Sequence, residues 1–224
     1  MNNKIQDTKW SENVILVDAD YVDKVAFNLT VNFERMIGRR IPKADMAKWI
    51  VCVALDGGVR PPKAEGQENS TLVVLVHKKE KTAMENFEPG VYEELNGKAF
   101  KDQLGEFEIG AYPIEPIPGG EDYLIDALKL VTQQKDVKRV IVIPDAENDY
   151  IYNKVREALN RVDDERLRVG ASAGIEKRMT VLAMQPMPGG NFKQEILGYS
   201  LMAALGISSA ELTESSGEKL EVRS

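Results

Sequence analysis

Residues 14–24 read VILVDADYVDK, four aliphatic residues running into Asp18, with a second carboxylate at Asp20. Acids recur at Asp56 after WIVCVALD, at Glu121, Asp122 and Asp126 behind Gly119-Gly120, and at Asp145, Glu147 and Asp149 in IPDAENDY. In an open α/β sheet the carboxyl ends of the strands form the ligand crevice, so acids distant in sequence can converge there. Oxygen ligands suit Mg²⁺ or Mn²⁺, which activate a water or clamp a phosphate. The same positions suit helix capping, where an acid stabilises orphan amides and the positive dipole end by about 0.5–2 kcal/mol. For Asp18 and Asp145 both roles stay open.

Other reactive side chains are scarce. His77 is the single histidine, which excludes a site built on several imidazoles, and its place at the end of TLVVLVHKK predicts a surface position. Cys52 is the single cysteine, so no internal disulfide can form, and its apolar setting in WIVCVAL predicts a buried structural thiol. LRVGASAGIEK (167–177) lacks the lysine and spacing of a phosphate-binding glycine loop and reads as a connection. A net charge of −7 argues against polyanion binding by overall charge, leaving RNA only a local groove.

These residues must be positioned by a sheet. Apolar runs bounded by turn residues alternate with segments of helical period, the pattern of a parallel sheet covered by helices. Strands are expected at 14–18, 49–56, 71–78, 108–116, 139–145 and 179–186. A helix is expected over 20–37, with Val22, Val25, Leu29, Phe33 and Met36 on its covered stripe. Further helices are expected over 121–134, 148–162 and about 91–104, with KAFKDQL its clearest part, and a short helical piece ends near 44–49. GGVRPPKAEGQENS (57–70) is expected as an exposed loop.

FKQEILGYSLMAAL (192–205) predicts a helix apolar around most of its circumference, to be buried on the sheet or on a second copy in a homo-oligomer. The expected organisation is a polar tail (1–12), an α/β domain (13–187), a C-terminal helix (188–207) and a second polar tail (208–224). A hydrophobic fraction of 43% with no run of about 20 apolar residues excludes a membrane-spanning helix. The polar, partly acidic N-terminus does not read as a targeting segment, so a cytoplasmic location is expected.

The order of these pieces resembles the PIN-like nucleases, in particular their NYN branch. There a first strand ends in an aspartate, as VILVDAD does; a later strand turns into a short helix opening, as EPIPGGEDYLIDALKLV does; and the next strand ends in an acidic motif, as VIVIPDAENDY does. The likeness covers about 13–160. It implies a three-layer α/β domain, PIN-like or Rossmann-like, with a mostly parallel central sheet and an added C-terminal helix. It also implies clustered aspartates that bind Mg²⁺ or Mn²⁺ and hydrolyse RNA, or a degenerate relative of such an enzyme. Asp18, Asp122 and Asp145 match the motif positions, Asp18 and Asp145 as catalytic residues, with Asp126 a further match; Asp20 and Asp149, acids beside them in the sequence, complete the candidate metal-ligand set. Asp126 also lies opposite the Leu124 and Leu128 stripe, which predicts solvent exposure. Tyr21, Gly119 and Pro144 depart from the pattern, Gly119 standing where the family has a lysine.

A second resemblance is to the haloacid dehalogenase-like phosphatases. DADYV (18–22) fits their Asp-x-Asp-x-Thr/Val motif and PDAENDY (144–150) is similar to their second acidic motif. It implies Asp18 as nucleophile, Asp20 as acid/base, and Asp145 and Asp149 as magnesium ligands. A noncatalytic binding or assembly protein on the same sheet is the third reading.

Overall fold

The computed structural model describes residues 9–62, 64, 66–115, 123–169, 177–190 and 192–212, with 162–169 as backbone alone. Asp122, Glu121 and Gly119-Gly120 lie outside the described residues. The elements run β1 (Asn13–Asp18), α1 (Ala19–Ile37), β2 (Ala44–Asp45), α2 (Met46–Asp56), β3 (Ser70–Lys78), β4 (Phe87–Glu88), α3 (Tyr92–Leu95), β5 (Lys98–Asp102), β6 (Gly105–Ile114), α4 (Tyr123–Gln133), β7 (Arg139–Ile143), α5 (Asp149–Val169), β8 (Arg178–Ala183), β9 (Lys193–Ile196) and α6 (Leu197–Ala204).

Seven strands form one sheet in the order β5-β6-β3-β1-β7-β8-β9. All pairs are parallel except β5 with β6. The protein is therefore a three-layer α/β fold with a mostly parallel sheet, as expected. Strands β1, β3 and β7 are continuous apolar runs because both faces are covered. In β1, Ile15 and Val17 face the core shared with α1, α2 and α6, and Val14 and Leu16 face the core shared with α4 and α5. The chain builds outward from β1 to β3 and β6, then returns to place β7 on the other side of β1. That reversal opens the crevice of a doubly wound sheet at the carboxyl ends of β1 and β7.

WIVCVALD is helix α2, not a strand. Met46, Trp49, Ile50 and Val53 are buried at spacings of three and four, and the Asp45 carboxylate accepts the Lys48 N–H at 2.9 Å as the N-cap. A short apolar run is ambiguous between buried helix and buried strand, and here the cap decides. Asp56 consequently ends a helix that leads to the start of β3, at the amino end of the sheet and away from Asp18.

The expected helix over 91–104 shrinks to α3, and KAFKD is the antiparallel edge strand β5. Phe100 opposes Phe107 across the pair with stacked rings 5.0 Å apart. The turn between the strands needs Gly105, at φ 129°, where a Cβ would fall 2.3 Å from the Asn69 carbonyl oxygen.

The segment 192–205 divides into edge strand β9 and helix α6. Leu197, Leu201 and Leu205 are buried in the core shared with α2, so the apolar surface that suggested a second copy is covered within the chain, although Tyr199 stays 69% exposed. Met36 ends its expected stripe at the surface. Among the described residues no helix is long and apolar enough to cross a membrane.

Candidate functional site at the carboxyl end of the sheet

Asp18 ends β1 and caps α1 in the same step. Its backbone is extended, with φ −75° and ψ 95°, and its carboxylate accepts the Tyr21 N–H at 3.0 Å. Asp20, in the first turn, accepts the Lys78 N–H through Oδ2 at 2.9 Å, which fastens the β1–α1 junction to the end of β3. Its Oδ1 is buried without a hydrogen-bond partner. Asp145 follows Pro144 at the end of β7, and its Oδ1 is likewise buried and unpartnered. So are the hydroxyls of Tyr21, from α1, and Tyr92, from α3.

Buried polar atoms are normally hydrogen-bonded, because an unmade bond costs about 1–3 kcal/mol. Among the described residues six buried side-chain atoms lack a partner, and Asp20 Oδ1, Tyr21 OH, Tyr92 OH and Asp145 Oδ1 are four of them. Trp49 Nε1 and Arg139 Nε complete the set.

Electrostatics couple Tyr21 to Asp145 and Tyr92 to Asp20. Burial, then Glu147, Asp145 and Asp18, hold the Tyr21 phenol far above its ordinary range. Burial, then Asp20, Asp23 and Asp18, do the same for Tyr92. Both phenols therefore stay protonated, each able to donate its hydrogen and to accept another, and the field of Asp18 reaches both.

The surroundings keep these groups in place. The Tyr92 ring stacks on His77 with centroids 3.6 Å apart and planes 11° apart. His77 is only 5% exposed, not the surface residue expected, because it is sandwiched by that stack and its Nδ1 lies 3.0 Å from the Lys78 carbonyl oxygen. A carbonyl only accepts, so Nδ1 carries the proton. Asp23 accepts the Asn86 N–H at 2.9 Å and its side-chain amide at 3.1 Å, pinning the segment before α3 to α1. Lys24 pairs with Glu147 at 3.6 Å on the exposed rim.

A family model matches residues 7–212. The chain belongs to DUF6621, a family of unknown function. No curated protein and no solved structure matches it. The matched part of this DUF6621 chain takes in every element from β1 to α6, and with them the whole acidic crevice.

Of the acids singled out in the sequence, Asp18, Asp20 and Asp145 stand with Glu147 at the switch point of the DUF6621 sheet. Asp149 is exposed in the first turn of α5, where the Asn148 side chain accepts the Tyr150 N–H at 3.1 Å. Asp126 is exposed on α4 and pairs with Lys129 at 3.4 Å. Asp56 is at the opposite end, half-buried beside Lys193 and Glu195, and burial raises its carboxyl. Among the described residues no group of three His, Cys, Asp or Glu is placed to hold a metal ion. Cys52 is half-buried in α2, and burial, then Asp56, raise its thiol away from the nucleophilic thiolate. Tyr92 and Asp23 escaped the sequence reading, which placed His77 at the surface and noted Tyr21 only as a departure from the family pattern. For Tyr21 a signal existed, a hydroxyl on the buried side of α1 directly after the acid pair.

Proposed function

We propose that the DUF6621 chain binds Mg²⁺ or Mn²⁺ at the carboxyl ends of β1 and β7 and acts as a divergent PIN/NYN-like, metal-dependent phosphodiester hydrolase. The observation that carries this is the pair of buried, unpartnered carboxylate oxygens, Asp20 Oδ1 and Asp145 Oδ1, flanking Asp18 at the switch point. Unpaired carboxylate oxygens shielded from water call for a cation, and a magnesium site commonly uses one or two carboxylates, completed by water and substrate phosphate. Asp20 and Asp145 would hold the ion through those two oxygens, with water and substrate completing its shell, and a bound ion would supply an activated water and neutralise phosphate charge.

The groove between α4 and α5 supports RNA as the substrate. Lys129, Tyr150, Lys154 and Arg161 line it, and Lys154 lies 5.8 Å from the Tyr150 ring centroid. The groove begins at the start of α5, close in the chain to Asp145. Lys129 and Lys154 pair with Asp126 and Glu157 on the exposed surface, contacts worth about 0–1 kcal/mol that a phosphate chain can displace. Against a phosphatase with Asp18 as nucleophile stands the cap bond from Tyr21, which draws on that carboxylate.

Thermal unfolding during a manganese titration tests the reading, with wild type set against Asp18→Asn/Asp145→Asn. Wild type is expected to gain stability by mass action, the double variant none, and only wild type to cleave single-stranded RNA. Turnover of a small phosphate ester without RNA cleavage would move the assignment to a phosphatase. No metal response in wild type would leave a noncatalytic binding module.

A further inference from the structure

We infer that Arg139 and Arg178, side by side at the amino end of the sheet, bind a phosphate group, which docks on the Nε edge of the Arg139 guanidinium. The site lies away from the acidic crevice and does not depend on the metal reading.

Arg139 opens β7, Arg178 opens β8, and the two are in-register partners, so their side chains leave the sheet on one face. That face packs against the end of α2, where Arg139 Nη1 donates to the Gly57 carbonyl at 2.7 Å. Arg60 and Lys193 serve the same helix end, donating to the carbonyls of Leu55, Val59 and Asp56. Basic side chains at a helix C-terminus ordinarily do no more than that. Two groups have no share in it. Arg139 Nε is buried without an acceptor. Arg178 is exposed, and among the described residues no hydrogen bond or ion pair engages its guanidinium.

The neighbouring acids are already committed. Glu12 pairs with Lys138 at 2.9 Å, Glu195 pairs with Lys193 at 2.7 Å, and Asp56 lies beside Lys193 and Arg60. Burial, then Arg178 and Arg60, pull the Arg139 guanidinium below its ordinary range, an excess of positive charge that Glu12 only partly offsets. A bound anion removes that repulsion and supplies the missing acceptor. Two guanidinium charges match the double charge of phosphate better than the single charge of a carboxylate, and an arginine edge grips two oxygens at once. Arg139 as a whole is only partly buried, so an anion reaches it from solvent, and Arg178, on its long stem, closes over the docked group.

Thermal unfolding in EDTA tests this with wild type, Arg178→Gln, Arg178→Lys and Lys101→Gln. Each is titrated with sodium phosphate, and with sodium acetate and sodium chloride at matched ionic strength. Wild type is expected to be stabilised by phosphate along a saturating curve, beyond either control. Arg178→Gln should keep its ligand-free melting temperature or raise it, since a like charge beside Arg139 is removed. Its apparent phosphate affinity should fall about tenfold, the scale of one hydrogen bond between charged groups. Arg178→Lys keeps the charge without the fork and should fall between the two. Lys101→Gln removes the same charge from the distant edge strand β5 and should bind phosphate as wild type does.

A phosphate response in wild type no larger than that to chloride overturns the inference. So does an Arg178→Gln protein that binds phosphate as tightly as wild type, a Lys101→Gln protein weakened as much as Arg178→Gln, or acetate that stabilises as well as phosphate. A ligand-free melting temperature that falls in Arg178→Gln would show a structural partner for that guanidinium and overturn it too. With EDTA present, none of these outcomes bears on the metal reading.

Discussion

The two ends of the sheet treat their charged side chains in opposite ways. At the amino end, basic groups deliver hydrogens to backbone carbonyls: Arg139 Nη1 to Gly57 at 2.7 Å, Arg60 Nη1 to Leu55 and Val59 at 2.8 Å each, and Lys193 Nζ to Asp56 at 2.8 Å. Lys138 adds an ion pair to Glu12 at 2.9 Å, and among the described residues at this end only Arg139 Nε is left over. At the carboxyl end Lys24 and Lys79 pair with Glu147 and Glu115 on the exposed rim, while beneath them two carboxylate oxygens and two phenols are left over. Polar groups that close the fold are satisfied by the fold. The four left over at the carboxyl end are offered to a ligand, and local inconsistencies of this kind gather at functional sites.

The contrast can be broken by substitution. The largest loss of stability is expected for Asp23→Ala, which strands the Asn86 amide and so should cost roughly 2–3 kcal/mol in chemical denaturation. A neutral result would show that satisfied and orphaned acids at the carboxyl end are equivalent, and the contrast would fail. Arg139→Met should come next, costing about 1–2 kcal/mol by removing the donor to the Gly57 carbonyl while leaving the response to manganese intact. An altered response would couple the two ends.

Asp18→Ala should cost about 1 kcal/mol through loss of the cap, and Asp18→Asn only a fraction of that, because asparagine caps as well as aspartate. Both should weaken metal binding, so an Asp18→Asn protein with near wild-type stability and a weakened metal response separates the two roles of this residue. The smallest effect is expected at Glu211, which Arg39 grips at 2.7 Å and whose carboxyl Arg39, then Ser208, hold down at about 2. Unfolding returns that carboxyl to about 4.5, so the unfolded chain takes up the proton first as pH falls. The stability from this pair is complete above that value and fades toward about 2. Glu211→Gln should flatten that part of the acid limb and leave melting at neutral pH nearly unchanged.

The sequence reading located β1, β3, β6, β7, β8, α1, α4 and α5, because a strand buried on two faces and a helix buried on one leave strong periodic signatures. It failed where the signature was ambiguous. In 49–56 an apolar run long enough for a strand was wound as a helix by a cap at Asp45, and in 98–102 a lysine-rich strand looked like the charged side of a helix. The misreading of 49–56 carried Asp56 to the wrong end of the sheet. The place of Asp18, Asp20 and Asp145 at strand ends was legible because acids after a buried strand stand out. Tyr92 and His77 were not, since their encounter joins α3 to the end of β3, and no spacing rule links the two.

Strand β5 carries one more consequence. It forms one rim of the sheet, is short, and displays Lys98, Lys101 and Asp102 to solvent, while the opposite rim, β9, spans four residues with Lys193 and Glu195 paired along it. A foreign strand adding to either rim would have to align its backbone beside fixed charges over a few residues, which discourages cross-chain β-pairing. Both flanks of the sheet thus carry charge that works against sheet-to-sheet growth.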